Sequence, residues 1–161
     1  MDDVLIVTTG GTIDKIYFDD QSDYQIGEPQ IGRILHGLGV SWHFRILPLL
    51  RKDSLHITED DRDLIYNTVS STIEQHILIT HGTDSMVQTA QKLQNIPNKT
   101  IVMTGALNPA RFHNSDAEFN IGCAIGALQA LPYGVFIAMN GRLWNPQHVR
   151  KNRTANQFEA L

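Results

Sequence analysis

Two short runs of residues hold most of the chemical potential of this protein. The first reads Thr9-Gly10-Gly11-Thr12-Ile13-Asp14, and the second reads Thr80-His81-Gly82-Thr83-Asp84-Ser85. Each places glycine, then a threonine hydroxyl, just past an apolar run. Glycine lets the backbone turn tightly and lets a ligand approach the amides. A threonine alcohol is a weak nucleophile and needs a base to take its proton. Asp84 adjoins Thr83, and a lysine whose pKa is lowered by desolvation would serve as that base. Spacing leaves three readings open: well-made turns with N-cap threonines, a phosphate or nucleotide site, and nucleophilic catalysis by a hydroxyl. Neither Gly-x-Gly-x-x-Gly nor Gly-x4-Gly-Lys-Ser/Thr occurs, which argues against the second.

Residues this far apart in sequence need a scaffold to meet. Val4 to Val7, Phe44 to Pro48, Ile77 to Thr80, Ile101 to Thr104 and Val135 to Ala138 read as strands. Their continuous apolar character predicts burial on both faces. Helical patterns lie between them. From Thr58 to Ile73, Ile65, Val69 and Ile73 recur at four-residue spacing, behind Glu59, Asp60 and Asp61 at the favoured helix start. Asp84 to Leu93 carries Met86, Ala90 and Leu93 on one side. Ser115-x-x-Glu118 predicts a capping box for a helix to about Leu131. In that helix Gly122, Gly126 and Ala130 form a small-residue face, expected to pack closely on a sheet or helix. Alternation of strand and helix predicts an α/β fold: a doubly wound, mostly parallel sheet with helices on both faces, three layers in a single domain. Ligands of such folds sit beyond the carboxyl ends of the strands. The polar stretch from Asp14 to Glu28 reads as a lid or binding loop.

The chain has 161 residues, 42% hydrophobic and 19% charged, enough for one ordinary domain with its own core. A formal charge of -4 and the lack of a basic stripe argue against nucleic acid as a partner. Cys123 is the one cysteine, so no internal disulfide closes. The acidic start runs straight into a strand-like segment and has no signal-peptide pattern. No apolar stretch is long enough for a membrane span. The expectation is a cytoplasmic protein with no membrane partner. The seven histidines show no metal-ligand spacing, so no metal is expected. His81 reads as a packed residue holding its turn rather than as an acid or base.

Together, in this order and about 70 residues apart, Thr-Gly-Gly-Thr-Ile and Thr-His-Gly-Thr-Asp-Ser resemble the two signatures of the bacterial-type L-asparaginase family. Val102-Met103-Thr104-Gly105-Ala106 resembles the family's next strand and turn. Val149-Arg150-Lys151-Asn152 resembles the segment that delivers its catalytic lysine. The resemblance implies that Thr12 is the nucleophile, giving a β-aspartyl ester and ammonia. It implies that Tyr24, in Asp23-Tyr24-Gln25-Ile26-Gly27, assists from the lid. It makes Thr83, Asp84 and Lys151 a second cluster, with Asp84 also receiving the substrate's α-amino group. Ser54 would bind the α-carboxylate. Backbone amides near Gly11-Thr12 and Gly82-Thr83 would form the oxyanion hole.

The family normally has about twice this length. The expectation is that residues 1–161 correspond to its N-terminal catalytic domain, without the smaller C-terminal one. Asp14, Leu55 and Ser85 depart from the family's pattern. The Ser85 change is conservative, but the expected absence of the C-terminal domain also removes a group that contacts the substrate's α-amino nitrogen; a lost hydrogen bond to a charged group costs roughly 1.5–3 kcal/mol, so weak substrate affinity is expected. The leading expectation is an L-asparagine amidohydrolase that needs no cofactor and works as a homo-oligomer. The alternatives are an amidase for another small amide and a catalytically weak amino-acid-binding sensor or partner domain.

Overall fold

Four of the five apolar runs are strands that bury side chains on both sides of one sheet; the Phe44 to Pro48 run, expected to be buried, forms an edge strand whose apolar residues are only partly buried. In the computed structural model the strands are β1 Asp3–Gly10, β2 Lys15–Phe18, β3 Asp23–Ile26, β4 His43–Lys52, β5 His76–Thr80, β6 Thr100–Thr104, β7 Gly134–Met139, β8 Arg142–Trp144, β9 Val149–Asn152 and β10 Gln157–Ala160. The helices are α1 Ile31–Gly37, α2 Glu59–Ser71, α3 Met86–Leu93 and α4 Ala117–Ala130. The structure describes residues 1, 3–18 and 23–161, without the side chains of Tyr17, Phe18, Asp23 and Tyr24.

The main sheet runs β4-β1-β5-β6-β7-β8. Every pairing in it is parallel except β7 with β8. Alternation along each strand feeds two cores. Leu5, Val7, Ile77, Ile79, Ile101 and Met103 meet Ile65 and Val69 of α2 and Met86, Ala90 and Leu93 of α3. Val4, Ile6, Leu78 and Val102 meet Ile31, Ile34 and Leu35 of α1 and Ile121, Ala124 and Leu128 of α4 on the other face. This is the three-layer, doubly wound arrangement expected. Burying a side chain the size of Leu or Ile stabilises by about 1.5–3 kcal/mol, and both layers consist largely of such residues.

Three further expectations need correction. Helix α2 stops at Ser71, and Ile73 stands 93% exposed beyond it. The run of Ser70, Ser71 and Thr72 ends the helix, and Ser71 Oγ turns back to bond the Asn67 carbonyl. The Ser115/Glu118 capping box does not form: Asp116 is the N-cap, and its carboxylate instead accepts from the Leu107 and Asn108 amides. The small-residue face of α4 is exposed, and nothing within 4 Å would meet a β-carbon at Gly122 or Gly126. At the start of α2 the expected signal does hold. Thr58 and Asp61 exchange reciprocal hydrogen bonds. Within the polar stretch after Asp14, β2 and β3 pair as an antiparallel hairpin.

Candidate active site

The two threonine runs lie side by side because β1 and β5 are neighbours, with Thr8 opposite Thr80. After β1 the backbone leads to α1 on one face. After β5 it leads to α3 on the other. Neighbouring parallel strands whose connections diverge leave a crevice beyond their carboxyl ends, and both runs line it.

Glycine makes the approach possible. Gly10 and Gly11 have φ of 96° and 85°, in the region that disfavours side chains. A β-carbon on Gly11 would stand 2.5 Å from Gly82 Cα, and one on Gly82 would stand 2.4 Å from Ser54 Cβ. Gly11, Gly82 and Ser54 are therefore stacked with no room for another atom. Ser54 is buried, and its carbonyl accepts from Ser85 Oγ at 2.6 Å.

A buried series of hydrogen bonds braces the second run. Arg62 Nε donates to Thr89 Oγ1 at 3.1 Å, and the Thr89 hydroxyl meets His81 Nε2 at 2.9 Å. His81 Nδ1 lies 2.7 Å from the Gly82 carbonyl. A carbonyl only accepts, so these partners assign the proton to Nδ1 and leave Nε2 to accept from Thr89. Burial pushes the His81 imidazole down to about 4; the Gly82 bond opposes this and the Arg62 charge adds to it. His81 is thus neutral near pH 7 and holds its turn.

Lys151 arrives from the β9–β10 hairpin, which Val149 and Phe158 anchor in the core. Its ammonium lies 2.6 Å from Thr83 Oγ1 and 2.6 Å from Asp84 Oδ1. Arg153 Nε stands 3.6 Å from the same Asp84 oxygen. Across the cavity Lys15 pairs with Asp53 at 3.3 Å.

The cavity measures about 280 Å³, and Gly11, Thr12, Ser54, Gly82, Thr83, Asp84 and Lys151 all line it. That is near the low end of ligand pockets (~300–1,000 Å³), the size for one small molecule. Tyr24 is placed by backbone only, opposite Tyr17 in the hairpin; its side chain lies outside the described residues. Sequence reasoning missed Lys15, Asp53, Leu107, Arg153 and Asn156, which also line the cavity. The one available signal was proximity, since Lys15 follows the first run and Arg153 lies just past Lys151. A second hollow of about 620 Å³ shares Ser54, Asp84, Lys151 and Arg153 and continues past Leu55 and Val87.

Asp14 ties the hairpin to the first run. Its Oδ1 accepts from the Gln30 amide at 2.9 Å, and its carbonyl accepts from the Gly27 amide at 2.7 Å. Burial raises its carboxyl to about 7, against the pull of the Gln30 amide and the charges of Arg51 and Arg111.

A family model described as the N-terminal part of asparaginase matches residues 3–161. L-asparaginase 2 of Escherichia coli (strain K12) is 26% identical over 169 residues, covering 95% of this chain and 47% of that protein. L-asparaginase 2 of Bacillus subtilis (strain 168) is 30% identical over 83 residues, 48% of this chain and 22% of that one. The thermostable L-asparaginase from Thermococcus kodakarensis has a TM-score of 0.82 at 26% identity, over 99% of this chain and 51% of its own. The crystal structure of a probable cytoplasmic L-asparaginase from Campylobacter jejuni shares the fold, with a TM-score of 0.77 at 22% identity over 99% and 52% of the two proteins. The chain spans about half the length of these full-coverage relatives.

Proposed function

Because this chain belongs to the asparaginase family, we propose that it hydrolyses the side-chain amide of L-asparagine or of a close analogue. The observation that carries this reading is the cavity in which Thr12 shares a wall with the Lys151–Thr83–Asp84 cluster. Thr12 Oγ attacks the carbonyl carbon of that amide while its proton passes to a base, with Tyr24 assisting. Amides near Gly11-Thr12 and Gly82-Thr83 take up the charge on the carbonyl oxygen. The C–N bond breaks, the nitrogen gains a proton and ammonia leaves, with a β-aspartyl ester on Thr12. Water then attacks the ester, its proton passing by way of the Thr83–Lys151 pair. The C–O bond breaks, Thr12 Oγ regains a proton, and aspartate departs. Ser54 holds the α-carboxylate and Asp84 the α-amino group. Asp84 already meets Lys151 and Arg153, so free asparagine binds weakly, with a Michaelis constant in the millimolar range or above. The reaction needs no cofactor.

A second assignment of the nucleophile is favoured by one distance. Thr83 Oγ1 is the hydroxyl with lysine nitrogen at 2.6 Å. Ammonia release by wild type, Thr12→Ala and Thr83→Ala, with mass spectrometry of the trapped ester, separates the two. An ester on Thr12 and silence in Thr12→Ala support the first reading; an ester on Thr83 replaces it with the second. No turnover by folded wild type at any asparagine or glutamine concentration would instead favour a binding domain.

The same reading has residues 1–161 acting as a catalytic unit, in the cytoplasm, as a homo-oligomer. Supporting oligomerisation, Phe119 is 62% exposed beside the open glycine face of α4. Among the described residues no helix is long and apolar enough to cross a membrane.

A further inference from the structure

The charges around the cavity do not balance. Among its described lining residues, Lys15, Lys151 and Arg153 face only two carboxylates, Asp53 and Asp84. Lys15 is paired with Asp53 and Lys151 with Asp84. Arg153 approaches the same Asp84 oxygen that Lys151 already occupies. The surplus among these described residues is one positive charge, located where the amidohydrolase reading puts the substrate's α-nitrogen. A free amino acid would bring a third cation to Asp84. A ligand with its α-carboxylate but an uncharged α-nitrogen carries one net negative charge and matches the surplus. The walls agree with the charges. Asp84 and Arg153 also line the second hollow, where Val87 and Ile57 supply apolar surface for a substituent on that nitrogen.

We infer that the preferred substrate is an asparagine acylated on its α-nitrogen, the C-terminal asparagine of a short peptide being the simplest form, with Arg153 selecting against a free ammonium. The inference rests on the amidohydrolase reading and names its substrate class. The bonds broken are unchanged: the C–N bond of the asparagine side-chain amide is hydrolysed, giving ammonia and an N-acyl-aspartate, and the acyl linkage stays intact.

The products serve as stable probes. Calorimetric titration of wild type with N-acetyl-L-aspartate and with L-aspartate measures the preference without turnover. The acylated product should bind at least about fivefold tighter, the effect expected of one partly exposed charge contact. Arg153→Met, at a side chain 64% exposed, should bring the ratio to one or below. Equal or tighter binding of L-aspartate by wild type overturns the inference, as does an unchanged ratio in Arg153→Met or no binding of either probe. Ammonia release from N-acetyl-L-asparagine and L-asparagine, assayed alongside, separates the two levels. Hydrolysis without a preference removes only the inference, whereas a preference without hydrolysis of either amide removes the amidohydrolase reading and with it the substrate assignment, leaving a binding preference.

Discussion

The Lys151 ammonium touches Thr83 Oγ1 and Asp84 Oδ1 at 2.6 Å each, across sequence separations of 68 and 67 residues. A lysine held between a hydroxyl and a carboxylate passes protons only if its amine sheds one, so charge alone does not fill its role. Lys151→Arg keeps the charge and Lys151→Met removes it. Both should lower kcat by about 10²- to 10⁴-fold, the usual effect of losing an acid–base group. An arginine variant with near-wild-type turnover would reduce Lys151 to an electrostatic support.

The contact between Gly11 and Gly82 predicts a sharp contrast among glycines. Alanine at either position would force its β-carbon to 2.4–2.5 Å from neighbouring atoms. Such a clash should cost about 1–3 kcal/mol and displace a threonine run. Gly122→Ala, in α4 with open space around it, should stabilise by about 0.5–1 kcal/mol. Urea unfolding of the three variants checks this. Equal effects at all three sites would mean that the packing of the runs does not matter.

How much of this was legible in the sequence follows from which forces leave local traces. Four of the five main strands could be read because burial on both faces demands unbroken apolar runs. The Thr58/Asp61 cap could be read because its partners lie three residues apart. The β9–β10 hairpin left little trace, because only Val149 and Phe158 of it enter the core and its remaining residues are polar or alanine. Ile73 misled because periodicity does not say where a helix stops. Arg153 belongs to no motif and adds too little charge to make a basic stripe. Its place beside Asp84 depends on a long-range fold contact that no local pattern encodes.

The exposed face of α4 predicts self-association. If Phe119 and the open glycine face meet a second copy, wild type should elute above the monomer mass at micromolar concentration, and Phe119→Asp should shift it to monomer. Size-exclusion chromatography with light scattering reads both. A monomeric wild type removes the homo-oligomer from the proposed function.

Asp14 should make the protein less stable as pH rises. Its folded carboxyl titrates at about 7, against 3.8 ordinarily. Between those values the native state holds a proton that the unfolded state has lost. The stabilisation is therefore full below about pH 4 and gone above pH 7. Asp14→Asn keeps an oxygen for the Gln30 amide and never ionises. Its stability relative to wild type should rise from pH 4 to pH 8 by on the order of 2–4 kcal/mol. Thermal or urea unfolding across that range checks it, and parallel curves would place the Asp14 titration elsewhere.

His81 should act with the opposite sign. Its folded imidazole titrates at about 4, against 6.5 ordinarily. From pH 6.5 down to 4 the unfolded state takes up a proton that the buried ring refuses. The native state therefore loses about 3 kcal/mol across that window. Asp14 gains stability over much of the same window, so the two groups offset each other and the wild-type profile should be flat. His81→Asn retains a donor for the Gly82 carbonyl but not the contact with Thr89. It should cost about 1–3 kcal/mol near pH 7, where the ring is neutral folded or unfolded, as expected for an orphaned buried partner. The informative quantity is the slope. Without the histidine, stability should climb as pH falls from 6.5 to 4, exposing the Asp14 contribution. The double variant with Asp14→Asn should be flat again. A His81→Asn profile parallel to wild type would mean that His81 does not titrate on unfolding, and that another group sets the acid limb.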